Sequence, residues 1–205
     1  MRVLVVAATD AEVAAIRRGP HARRGVDFLV TGVGMVATAA KVSRTLALDR
    51  YDVALNVGVC GSFNPAFPPG AVVHVVSDRI AELGAQDGDE FLTLSDLNLP
   101  GEHVFTSTRR PKSAALDALP QASGITVNTA HGSEASIQDV ARRFSPDVES
   151  MEGAGFMCAC IVNDTLFAQV RAVSNAMERR NKDAWKLKGA IDSLTAAAER
   201  ILDDL

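Results

Sequence analysis

Near-continuous runs of Val, Leu, Ile and Ala constrain this chain more than any other feature. They lie at 2–7 (RVLVVA), 27–31 (DFLVT), 53–59 (VALNVGV), 71–76 (AVVHVV), 124–129 (GITVNT) and 166–173 (LFAQVRAV). A strand with one wet face alternates apolar and polar residues. A strand that is apolar on consecutive residues must be covered on both faces, as in a parallel sheet flanked by helices. Helical patterns fall between the runs, near 10–18, 34–49, 134–143, 152–163 and 183–203. The pattern predicts an α/β fold: a single-domain three-layer αβα arrangement over residues 1–205 with a twisted, largely parallel (mixed) central sheet. The length of 205 residues suits one domain and is short for two. Residues 61–70 (GSFNPAFPPG) read as a Pro/Gly loop, and 84–114 as a long irregular excursion.

Composition excludes several classes. A net charge of −4, with arginine pairs scattered at 17–18, 23–24, 109–110, 142–143 and 179–180, gives no basic face for a nucleic acid. No stretch is long and apolar enough to span a bilayer. The N-terminal VLVVAA is shorter than a secretory h-region and runs into Asp10 and Glu12, so a cytoplasmic location is expected. Three cysteines (Cys60, Cys158, Cys160) lack metal-ligand spacing and read as reduced thiols.

Several polar residues sit where apolar runs end. TGVGMVATAA (31–40) matches G-x-G-x-x-A, a turn that presents N–H groups to phosphates. The next strand ends NVGVCGS without the carboxylate a dinucleotide ribose needs, so tight helix–sheet packing is the plainer reading. VESMEGAG (148–155) places Glu152 at a helix start, where it could complement the macrodipole or accept hydrogen bonds from two vicinal hydroxyls. The small residues after it would let another chain or a ligand come close. Asp10 and Glu12 follow the first run, and Arg171 and Asn175 stand at the end of the last. Ligands of α/β sheets bind at the carboxyl ends of strands.

In order, Glu12, GVCG (58–61), VESME (148–152) and RAVSN (171–175) resemble the nucleoside phosphorylase/nucleosidase superfamily over nearly the whole chain. The pattern is similar to the methylthioadenosine/S-adenosylhomocysteine nucleosidase type, with an early Glu, G-x-A-G, V-E-M-E and R-A-I-S-D. Cys60 replaces the alanine of the glycine turn. Asn175 replaces the aspartate that acts on the base in adenine-specific members. With ERRNKDAW after it, this looks most like the futalosine hydrolase branch, which removes hypoxanthine in an alternative menaquinone pathway.

The resemblance implies roles. Glu12 would activate water and Arg171 orient it, while Asn175 would hydrogen-bond the leaving purine as the third catalytic residue. Met151, Glu152, Cys60 and Gly61 would bind substrate, Glu152 at the ribose hydroxyls. A small nucleoside substrate, no metal, no organic cofactor and a homo-oligomer (dimer or higher) are expected. Related readings are a phosphorylase, a nucleosidase for another purine nucleoside, and a silent nucleoside-binding protein. An asparagine keeps an N–H donor at every pH and suits the two acceptors of a 6-oxopurine, but also pairs with adenine. If Asn175 does not read the base, TAHGSEAS (129–136) is the alternative. The cation for a carboxylated 5′ group is open among Arg109, Arg110, Arg180, Lys182 and Lys186.

Overall fold

The computed structural model describes residues 1–19, 25–101 and 103–205; Arg23 and Arg24 lie outside the described residues. The strands are β1 (Val3–Ala7), β2 (Val26–Val30), β3 (Val53–Ser62), β4 (Val72–Ile80), β5 (Gly84–Asp87), β6 (Glu90–Thr93), β7 (Val104–Thr106), β8 (Gln121–Thr126), β9 (Val148–Ser150) and β10 (Leu166–Ala176). The helices are α1 (Asp10–Arg18), α2 (Met35–Leu48), α3 (Ala114–Asp117), α4 (Glu134–Phe144), α5 (Gly153–Val162) and α6 (Leu187–Asp204). Strands β5 and β6 form a separate hairpin, and the other eight form one mixed sheet.

The expected three layers are present. Along β1 the side chains alternate between two cores, as the two-residue period of a strand requires. Val3 and Val5 meet Val13 and Ile16 of α1, Leu116 of α3, and Leu194 and Ile201 of α6. Leu4 and Val6 meet Val42 and Leu46 of α2 and Phe156 and Met157 of α5 on the opposite face. Phe156 closes edge-on against Phe167 of β10, with ring centroids 5.9 Å apart. Val140 of α4 covers Ile125 of β8 in a third, smaller cluster.

The sheet is not the simple open one that the apolar runs suggest. Strand β3 pairs with β10, β10 with β4, β4 with β8, β8 with β9, and β9 returns to β3. This closed circuit is possible because β3 forks. Its first half (Val53–Asn56) pairs with β1, and its last residues (Gly61, Ser62) pair antiparallel with β9. The fork brings the ends of β1, β3, β9 and β10 together.

Four expectations need correction. Strand β10 runs to Ala176, so Asn175 lies inside it; a register shift between Val173 and Asn175 keeps the pairing to β3 going. The excursion at 84–114 contains β5, β6 and β7, whose short and largely polar sequences carry little periodic signal. The last helix starts at Leu187, after a separate 3₁₀ turn at Lys182–Ala184. The small residues of α5 admit the chain itself: a Cβ on Gly155 would overlap the Met35 carbonyl, and one on Gly153 would overlap Asp78 and Gln169.

Candidate active site

A cavity of about 350 Å³ opens over the fork. That volume is within the usual range for small-molecule sites. Of the residues expected to act, Glu12, Cys60, Gly61, Met151, Glu152 and Asn175 line it. Arg171 does not. It is completely buried behind the two carboxylates.

Glu12 stands in the first turn of α1 and is only 7% exposed. Its Oε2 accepts from the Thr9 backbone N–H (2.9 Å) and from the Thr9 hydroxyl (2.8 Å), and its Oε1 from the Val59 N–H (3.1 Å). A carboxylate offers about four acceptor positions, so roughly one remains for a water or a ligand. The sequence TDAE thus gives a helix cap that also holds an acid over the end of β3.

Glu152 is 6% exposed at the N-cap of α5 and makes no capping hydrogen bond with its side chain. Hydroxyls from elsewhere satisfy the first helical N–H groups: Thr126 accepts from Ala154 at 2.8 Å, and Ser150 from Gly153 at 3.4 Å. Glu152 instead accepts from the Gly34 N–H at 3.1 Å. Gly32 and Gly34 both have positive φ, which L side chains rarely adopt. The glycine turn of 31–34 therefore positions a carboxylate.

Between the acids runs the Arg171 guanidinium. Its Nη2 donates to Asn56 Oδ1 at 2.7 Å, and its Nη1 is 3.9 Å from Glu152 Oε2. Asn56 is itself anchored to the Val6 carbonyl at 3.0 Å. Gly58 explains the first glycine of GVCG: a Cβ there would collide with Arg171 Nη1 and sit 3.1 Å from Glu12 Oε1. A buried guanidinium without a counter-charge would be very unfavourable; Glu152 supplies one, while Nε and Nη1 have no hydrogen-bond partner among the described residues.

At the other end of the cavity, Asn175 lies above Gly61. Its Oδ1 accepts from the Ser174 hydroxyl at 2.8 Å, and its Nδ2 donates to the Ala176 carbonyl at 3.0 Å. Each bond uses one of two positions, so one N–H and one oxygen lone pair of Asn175 remain for a ligand. Cys60 is buried, and burial pushes its thiol up to about 12, so it stays protonated at neutral pH. Met151 also packs toward Ile125 and Val140.

Sequence reasoning missed Thr9, Asn56 and Glu149, and reached His131 only as part of the 129–136 loop. Glu149 is buried in β9, and both its oxygens hold His131, one through the backbone N–H (2.9 Å) and one through ring Nδ1. A glutamate in the second position of the short β-like run VES was the available signal. Of the cations considered for a 5′ group, Arg180 alone lines the cavity, with its guanidinium 5.4 Å from the Trp185 ring centroid. Arg109 and Arg110 pair elsewhere, with Asp164 and Asp117. Among the described residues, no cluster of three or more His, Cys, Asp or Glu could hold a metal ion. No described helix is long and apolar enough to cross a membrane.

Comparison with known proteins agrees with this architecture. Futalosine hydrolase of Acidothermus cellulolyticus is 32% identical, with 95% of this chain and 87% of the relative covered. Futalosine hydrolase of Streptomyces coelicolor is 31% identical over 86% of this chain and 78% of its own length. The solved futalosine hydrolase of Helicobacter pylori shares the fold at a TM-score of 0.81 and 14% identity, covering 100% of this chain and 98% of that one. The model of the phosphorylase superfamily matches residues 7–205, and the chain belongs to that superfamily.

Proposed function

We propose that this chain hydrolyses the N-ribosidic bond of futalosine, releasing hypoxanthine and dehypoxanthine futalosine, as a cytoplasmic step of the alternative menaquinone pathway. It is an N-glycosyl hydrolase. One observation carries the reading: two buried carboxylates, Glu12 and Glu152, share a cavity wall with Arg171 behind them and a carboxamide donor, Asn175, across from them.

Cleavage of the bond develops positive charge at the anomeric carbon and negative charge on the departing base. Glu12 takes the proton of a water with its remaining acceptor position. Glu152, fixed by Gly34, accepts from the ribose hydroxyls. Arg171 touches neither water nor sugar; it is a positioning residue whose charge keeps two acids together. Asn175 donates its spare N–H to the purine as negative charge builds there. Water attacking without a covalent intermediate inverts the anomeric carbon. No metal or organic cofactor enters these steps, and the working form is a homo-oligomer.

Water is favoured over phosphate as nucleophile because the obvious anion-binding groups are not open to the cavity. Gly34 gives its N–H to Glu152, and Arg171 is completely buried behind the carboxylates and does not line the cavity. A phosphate would need donors of this kind facing it. A coupled assay for hypoxanthine released from futalosine, with and without phosphate, tests the reading. Phosphate-independent release is expected. Release that requires phosphate, or none from futalosine, would contradict it.

A further inference from the structure

Asn175 alone leaves the base open, because a carboxamide pairs with a 6-oxopurine or with adenine. A second polar group faces it across the sheet. In the register of β3 with its neighbours, Asn175 on β10 and Glu149 on β9 both lie opposite Gly61. Paired residues project to the same face, and with strands about 4.8 Å apart the two positions stand roughly 10 Å from each other. Between them is a glycine, covered by the Met177 thioether, and Asn175, Met177 and Glu149 all line the cavity.

Glu149 does not itself contact a base there, since both its oxygens are taken by His131. The imidazole lines the cavity, with Nδ1 turned to Glu149. Its Nε2 has no hydrogen-bond partner among the described residues and is the one nitrogen left for a ligand. We propose that His131, positioned by Glu149, reads the six-position of the purine: its Nε2–H donates to O6 of a 6-oxopurine while Asn175 donates to N7. This rests on the purine-nucleosidase reading above, and supplies the discrimination that Asn175 lacks.

The sign of the discrimination follows from protonation. An imidazolium has only donors, so it suits O6 and opposes the amino group of adenine. The hydrogen bond to Glu149 raises the His131 pKa above the ordinary imidazole value, burial opposes this, and the Glu149 and Glu82 charges add to it while Arg143 subtracts. Once the ring loses its second proton, Nδ1–H stays with Glu149 and Nε2 becomes an acceptor. The preference for hypoxanthine is therefore present below the His131 pKa and lost as pH rises through it. A donor at O6 also stabilises the negative charge of the leaving base.

Calorimetric binding of free hypoxanthine and free adenine across pH tests this in wild type, His131→Phe, His131→Gln and Glu149→Gln. His131→Phe should lose about tenfold or more in hypoxanthine affinity and under about threefold in adenine affinity, as expected when one polar partner is removed. His131→Gln keeps an N–H donor, so it should retain most of the preference and lose its pH dependence. Glu149→Gln should move the pH midpoint down. An unchanged base preference in His131→Phe would overturn the proposal, as would the same pH midpoint in wild type and His131→Gln. If the Phe variant does not fold, the comparison of wild type with His131→Gln decides. Futalosine turnover by wild type is scored separately: its absence would count against the proposed function, while the binding data still judge His131.

Discussion

In the proposed mechanism Glu12 and Asn175 divide the chemistry between the sugar side and the base side. Three donors orient the Glu12 carboxylate; a carboxamide has the same shape and can keep the two Thr9 contacts through its oxygen, with its NH2 facing the Val59 N–H, but it cannot take a proton. Glu12→Gln should therefore bind nucleoside nearly as wild type and lose turnover by roughly 10²–10⁴-fold, the range for a positioned base. Single-turnover kinetics beside an equilibrium binding measurement check this, and near-normal turnover would remove Glu12 from the mechanism. On the base side, Asn175→Asp places an acceptor-only carboxylate against N7, beside the second acceptor O6 of a 6-oxopurine. Activity on the hypoxanthine nucleoside should fall near neutral pH and recover in part as the carboxylate is protonated at lower pH. A pH–rate profile of both proteins on paired hypoxanthine and adenine nucleosides measures it. A variant with wild-type preference at every pH would show that Asn175 does not read the base.

At the scale of elements, the end of β3 carries the most constraint. Gly58 gives Arg171 its passage, so Gly58→Ala must displace a buried guanidinium or shift the strand. Overpacking of this kind costs about 1–3 kcal/mol, and a Tm several degrees lower together with a reduced kcat is expected. A thermal melt and a kcat unchanged from wild type would mean that Arg171 has slack the packing does not suggest. The strands β1, β3 and β10 were legible because burial on both faces is written in their residue types. Strand β9 was hard to read, since three residues carry no period, and its pairing with β3 joins segments far apart in sequence. For the same reason the closed circuit of strands was invisible in the sequence. Glu12, Arg171, Glu152 and Asn175 stood out because each is a polar residue where an apolar run stops. Thr9 and Asn56 did not, and His131 was marked only within the 129–136 loop, because only the fold gives them their partners. The glycine turn at 31–34 was legible as a turn, but its hydrogen bond to Glu152 spans 118 residues.

Across the whole molecule, the closed part of the sheet encloses polar groups that affect stability. His74 on β4 is fully buried, and neither ring nitrogen has a hydrogen-bond partner among the described residues. Burial, with Arg110 nearby, lowers its pKa to about 4. The unfolded chain takes up this proton near the ordinary imidazole value and the folded chain does not, so stability should fall as pH drops from about 6.5 to about 4. The loss for this one group is about 3–4 kcal/mol at most. His74→Leu should flatten that part of the profile, read as urea midpoints at pH 7 and pH 5. Comparison with the variant separates His74 from carboxylates that titrate in the same range, and equal slopes in the two proteins would exclude it. The same closure gathers the ends of four strands around one cavity, where a carboxylate-activated water is taken to displace hypoxanthine from its ribose. Proton NMR of wild type turning over futalosine in phosphate-free buffer tests that claim most directly. The expected result is free hypoxanthine together with a reducing sugar that first appears with inverted anomeric configuration. A sugar formed with retained configuration, or a sugar phosphate produced only once phosphate is added, would contradict it.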